Sequence, residues 1–118
     1  MATADTWIKA HSDETLVVSI ISVAELYAGS YRNPNPAEHL LNLRIFLGNF
    51  AIANLTDDIV DLYAQQRVTL QRRGIPLPDF DILIAATALH LKLALVTRNV
   101  RHFDRFTGLQ MVEPSAGL

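Results

Sequence analysis

Three carboxylates, one amide and a group of arginines are the side chains of this sequence placed where chemistry can be done. Glu25 follows a short run rich in β-branched residues, Leu16 to Ile20. Asp79 and Asp81 come just before a long apolar run. Asn99 directly follows Leu95-Val96-Thr97, with Arg98, Arg101 and Arg105 around it. In an open parallel sheet, ligands bind in the crevice made by the carboxyl ends of strands and the helix starts that follow them. Carboxylates gathered there bind hard divalent cations, Mg2+ or Mn2+, which prefer oxygen ligands. Mg2+ needs only one or two protein carboxylates, because water and substrate phosphate fill its other positions. Such an ion activates water and stabilises the charge of phosphodiester cleavage. On this reading Glu25, Asp81 and Asp79 are candidate metal ligands. Asn99 is a candidate for holding a water by hydrogen bonding. Arg98, Arg101 and Arg105 are candidates for contacting phosphate.

Each of these residues also has a structural reading. Glu25 stands three residues after Ser22, the spacing of a capping box. Asp79 suits a helix cap, and Asp81 is favoured at a helix start by the dipole. Asn99 suits a strand-end turn, and the arginines suit solvated surface. Asp57 and Asp58 read as caps with no functional role. The four histidines, His102 among them, show no paired metal spacing. There is no cysteine, which excludes disulfides, thiolate zinc sites and a cysteine nucleophile. Neither a G-x-S-x-G elbow nor a G-x-x-x-x-G-K-[ST] loop is present, which disfavours α/β-hydrolase and P-loop chemistry.

The elements that must position these residues follow from the hydrophobic pattern. Asp5 to His11 reads as the end of a short helix. Leu16 to Ile20 reads as a buried strand, and a helix follows from Ser22 to about Ala28, closed by Gly29. Asn33-Pro34-Asn35-Pro36 is a turn signal. A helix then spans Ala37 to Leu47, ended by Gly48, and Phe50 to Leu55 is a short strand. Thr56-Asp57-Asp58 caps a long helix to about Arg73, with Ile59, Leu62, Tyr63, Val68 and Leu70 as its apolar stripe and Gly74 as its stop. Pro76-Leu77-Pro78 leads into a helix from Asp79 to about Lys92 that is apolar nearly all round and should be buried. Leu93 to Thr97 is a strand, Val100 to Phe106 a short turn or helix, and Leu109 to Val112 a last strand. Strands alternating with helices indicate an α/β fold with a mainly parallel sheet.

At 118 residues and 13.1 kDa, with half the residues apolar and 19% charged, the chain reads as a single folded domain, residues 1–118. No apolar run reaches the length of a spanning helix, and the first residues carry no basic and apolar signal segment, so a cytoplasmic protein is expected. The formal net charge of -2 gives no bulk support for a nucleic-acid partner. Charge is unevenly distributed: Arg98, Arg101, His102 and Arg105 cluster near the C-terminus, and Arg67, Arg72 and Arg73 form a second group.

Taken together, three blocks carry a family resemblance. Ser19-Ile20-Ile21-Ser22-Val23-Ala24-Glu25-Leu26-Tyr27-Ala28-Gly29 resembles the second block of PIN-domain ribonucleases of the VapC toxin type. Asp79-Phe80-Asp81-Ile82-Leu83-Ile84-Ala85-Ala86-Thr87-Ala88 resembles the third, and Leu95 to Phe103 the fourth, followed by Gly108-Leu109 and a closing strand. The order is that of the family, and the resemblance covers essentially the whole chain. It implies a three-layer α/β/α sandwich with a mainly parallel sheet and an endoribonuclease site dependent on Mg2+ or Mn2+. It implies a homodimer neutralised by an antitoxin bound across the active-site groove. Glu25 matches the family's helix-start Glu, Asp81 its catalytic Asp, and Asn99 a position that is Asp or Asn in relatives. Asp79 has no fixed counterpart.

One departure bears on activity. PIN domains open with a strand ending in Asp-Thr-Asn, whose Asp is a central metal ligand. Asp5-Thr6 is not preceded by an apolar strand and stands too close to Glu25 for the strand, turn and helix between them. Trp7-Ile8-Lys9-Ala10 resembles the end of the first helix. The chain thus reads as an N-terminally truncated PIN-like domain, and translation of the DNA upstream of Met1 tests that expectation. The corresponding alternative function is a catalytically weak or inactive PIN-like protein that binds antitoxin or RNA. A third reading is a phosphate- or nucleotide-binding α/β domain of another family.

Overall fold

The computed structural model describes residues 16–97 and 99–112. The helix end expected at Asp5 to His11 lies outside the described residues, as does Arg98. The chain forms two compact units that divide at Thr56.

The first unit holds β1 (Val17–Ser19), α1 (Ile20–Tyr31), α2 (Pro36–Leu47) and β2 (Ala51–Ala53). β1 and β2 pair in parallel, with Val17 opposite Ala51 and Ser19 opposite Ala53. Ser19 ends the strand and also caps the helix. Its backbone is extended, and its hydroxyl accepts the Ile21 N–H at 3.1 Å. The capping box expected from Ser22 to Glu25 is therefore not the helix start: Ser22 lies in the first turn of α1 and Glu25 in the second. Nor does Gly29 stop the helix, which continues to Tyr31 before the Arg32 N–H closes on the last carbonyls. α2 opens on Pro36, whose missing N–H is harmless in a first turn. Asn35 accepts from the Glu38 N–H at 3.5 Å and donates to the Glu38 carboxylate at 2.9 Å. α1 packs on α2. Ile21, Val23, Leu40 and Leu47 are buried in this unit, and the buried Ser30 hydroxyl is paired with His39 Nδ1 at 2.8 Å.

The second unit holds α3 (Asp57–Arg72), α4 (Asp79–Leu91), β3 (Leu95–Val96), α5 (Val100–Phe103) and β4 (Met111–Val112). Thr56 caps α3 as expected, accepting from the Ile59 N–H at 3.3 Å. Ile59 and Leu70 are each 1% exposed, whereas Val68 is 41% exposed. Val68 lies about two and a half turns from Ile59, on the opposite side of the helix, so it does not belong to the stripe. Gly74 has φ +71, and its N–H and that of Ile75 close on Gln71 and Leu70. That pattern of crossed bonds terminates a helix by way of a left-handed residue.

α4 is the buried helix the sequence predicts, with Ile82, Ile84, Ala85, Ala86, Thr87 and Ala88 all inside. The Thr87 hydroxyl donates to the Leu83 carbonyl at 2.8 Å and so is satisfied within the helix. β3 and β4 pair in parallel, Leu95 opposite Met111, and the Thr97 N–H extends the ladder to the Val112 carbonyl. The fold is a helix-rich α/β class with parallel strands, as expected. Its described strands are shorter than the apolar runs that contain them. Among the described residues no helix is long and apolar enough to cross a membrane.

Candidate active site at the start of α4

Pro78 precedes α4 and offers no side-chain cap, so Asp79 is the first helical residue and Asp81 the third. This corrects the reading of Asp79 as the cap. Its carboxylate turns instead to α3. Asp79 Oδ1 accepts from the Tyr63 hydroxyl at 2.9 Å and from Arg67 Nε at 2.9 Å. Tyr63 and Arg67 are one turn apart on α3, so both donors lie on one face of that helix. The Tyr63 phenol is pushed above its ordinary value, chiefly because its proton is held on Asp79, with smaller contributions from desolvation and the Asp79 charge that Arg67 opposes. Tyr63 thus does more than fill an apolar stripe.

Asp81 turns the other way. Its side chain is 21% exposed, and Oδ2 lies 3.0 Å from His102 Nδ1 on α5. An ionised carboxylate only accepts, so Nδ1 carries the proton of this bond. No other hydrogen bond of the Asp81 carboxylate occurs among the described residues, which leaves Oδ1 open. Asn99 takes the N-cap position of α5, one turn before His102, and makes no side-chain capping bond there. Its N–H is held by Thr97 Oγ1 at 3.0 Å. Arg101 and Arg105 are exposed, and Arg105 Nε reaches the Arg101 carbonyl at 3.5 Å. Glu25 is exposed on α1, in the first unit.

The second unit therefore joins Asp81 to His102, with Asn99 at the start of the helix that carries His102, and turns the Asp79 carboxylate from α4 toward α3. No group of three His, Asp or Glu able to hold a metal occurs among the described residues. The donor chemistry nevertheless separates the two aspartates. Asp81 keeps a free hard oxygen and fits a cation that takes one or two carboxylates. Asp79 also keeps one oxygen, Oδ2, without a hydrogen bond among the described residues, but the Arg67 cation beside its Oδ1 disfavours a second cation there. His102, Tyr63 and Arg67 are the site residues that spacing did not single out. Their partners lie 12 to 21 residues away in sequence, and no local periodicity marks such a bond.

Residues 1–109 match the PIN domain. This chain belongs to the PIN-domain family. Its relatives place it with the VapC type. Ribonuclease VapC1 of Haemophilus influenzae strain R2866 is 31% identical over 98 residues, which cover 83% of this chain and 73% of that protein. The structure of VapBC-1 from nontypeable Haemophilus influenzae matches with a TM-score of 0.84 at 27% identity, over 92% of this chain and 84% of the other. A toxin–antitoxin complex from Klebsiella pneumoniae matches with a TM-score of 0.65 at 28% identity, over 83% of this chain and 72% of the other. The PIN blocks read from the sequence thus correspond to the fold and to named VapC relatives.

Proposed function

We propose that this PIN-domain chain is a metal-dependent endoribonuclease, the toxin of a toxin–antitoxin pair. The observation that carries the reading is Asp81: a largely buried carboxylate at the start of the central helix, held on one oxygen and open on the other. Named ribonuclease and toxin–antitoxin relatives over most of the chain support it. Mg2+ or Mn2+ is the proposed ion, with Asp81 as its ligand, and the resemblance assigns Glu25 to the same chemistry. When bound, such an ion supplies Lewis acidity toward the phosphodiester and activates water for in-line displacement. Asn99 would orient that water through its free carboxamide. Arg101 and Arg105, with Arg98, would hold the flanking phosphates. The antitoxin is the proposed protein partner and inhibitor, and the homodimer is the proposed assembly.

The test is cleavage of RNA in Mg2+ or Mn2+ by the parent chain and by Asp81→Asn. Metal assistance contributes several kcal/mol, and ~1.4 kcal/mol is tenfold in rate. The variant should therefore lose about a hundredfold or more. Equal rates would remove Asp81 from the chemistry. One observation favours a second reading, a weak or inactive PIN-like binder of antitoxin or RNA: among the described residues no three-residue metal group forms. Titration with Mn2+ separates the two readings, since stoichiometric binding lost in Asp81→Asn supports only the first.

A further inference from the structure

We propose that His102 is a positioning residue for Asp81: its Nδ1–H holds Oδ2, fixes the plane of the carboxylate and leaves Oδ1 as the working oxygen. This rests on the reading of Asp81 as the reacting carboxylate. An acid in the third position of a helix ordinarily turns back to the free amides of the first turn. Asp81 does not; its bond crosses to α5. The residue preceding the helix is Pro78, which has no N–H to donate to a carboxylate turned back on it and gives no side-chain cap.

The histidine is carried on an element that is itself anchored. Phe103 and Phe106, the first of them adjacent to His102, are 5% and 3% exposed, with ring centroids 6.3 Å apart. α5 packs on α4, so the ring is presented to Asp81 by buried aromatic neighbours. The bond itself is not a core contact. The His102 side chain is 45% exposed, and a pair that exposed adds little to stability. Its consequence is directional. A carboxylate with one oxygen fixed by a ring N–H presents the other at a defined angle, and outer partners of this kind set the affinity of the ligand they hold by ten- to a hundredfold.

Three substitutions separate positioning from bulk. His102→Asn keeps an N–H at the place of Nδ1, His102→Gln moves it outward toward the place of Nε2, and His102→Ala removes it. The first readout requires neither metal nor turnover: 15N NMR of the neutral imidazole. Parent His102 should be the Nδ1–H tautomer, reverting to Nε2–H in Asp81→Ala. The second is Mn2+ affinity. His102→Ala and His102→Gln should weaken it about ten- to a hundredfold, and His102→Asn should restore it to within about threefold of the parent. RNA cleavage should follow the same order, while thermal melts of all four chains stay close together. An Nε2–H ring in the parent overturns the proposal, as does a His102→Ala chain with parental Mn2+ affinity. A parent that neither binds Mn2+ nor cleaves RNA overturns the proposed function, and with it any role of His102 there. A parent that does both, with Asp81→Asn inactive and His102→Ala unchanged, overturns the positioning role alone.

Discussion

Asp79 and Asp81 share one turn of α4, and the neighbours of each carboxylate decide what it can do. Asp79 receives a guanidinium and a phenol from α3, and Asp81 receives an imidazole from α5. The Arg67–Asp79 pair is 47% and 54% exposed, so it contributes at most about 1 kcal/mol. Its larger effect is to set a positive charge beside Oδ1, which disfavours a cation there. Tyr63 gives this arrangement a spectroscopic handle. Its folded pKa is raised above the ordinary 10.0 because Asp79 holds its proton. A raised folded value means the contribution to stability is complete below the unfolded pKa and is lost as pH rises through the folded one. In a tyrosinate absorbance titration, the step removed by Tyr63→Phe should lie above pH 10, and Asp79→Asn should bring it down. A Tyr63 step unmoved by Asp79→Asn would show that the hydrogen bond does not form in solution. The residue types were legible in the sequence, but these bonds were not. Tyr63, Arg67 and His102 meet their aspartates only through packing of one helix on another.

Among the elements, the signals legible in the sequence were those whose physics is local. Thr56 and Gly74 bound α3 because a hydroxyl three residues upstream of a free amide and a left-handed glycine act within one turn. Ser22 misled for a nonlocal reason. Ser19 and Ser22 both suit a cap, and Ser19 is selected because β1 ends there, paired with Ala53. The end of α4 was legible only in part. Lys92 occupies the left-handed position, φ 56, while the Leu93 and Lys92 N–H groups close on Ala88 and Leu89. A side chain in that conformation costs about 1–2 kcal/mol, and the gain on replacing it with glycine is partly offset because glycine loses more chain entropy on folding. Lys92→Gly should therefore stabilise the chain by about 0.5–1 kcal/mol, a rise of a few degrees in a thermal melt. Gly74→Ala, at φ +71, should destabilise it by a similar amount. A Lys92→Gly chain that melts no higher than the parent would mean that the cap is not strained.

For the whole molecule, membership of the PIN-domain family was legible because order carried it: three blocks, each weak alone, in the family's sequence. The charge distribution was legible as well, and it bears on how RNA would be held. A net charge of -2 gives no broad cationic field, so phosphate binding has to come from a few arginines in one place. Arg101 is exposed within α5 and Arg105 is exposed just past its end, on the same segment as Asn99. Single-stranded RNA binding weakens with salt at a slope of about -0.7 for each phosphate neutralised. Binding of a labelled RNA by Asp81→Asn, which would avoid cleavage, should therefore show a shallow salt dependence. Arg101→Ala and Arg105→Ala, each added to that chain, should flatten it by about 0.7 per residue. Arg72→Ala, at the end of α3, should leave the slope unchanged. If Arg72→Ala flattens the slope and the other two do not, the RNA track runs along α3, and Arg101 and Arg105 are solvated surface.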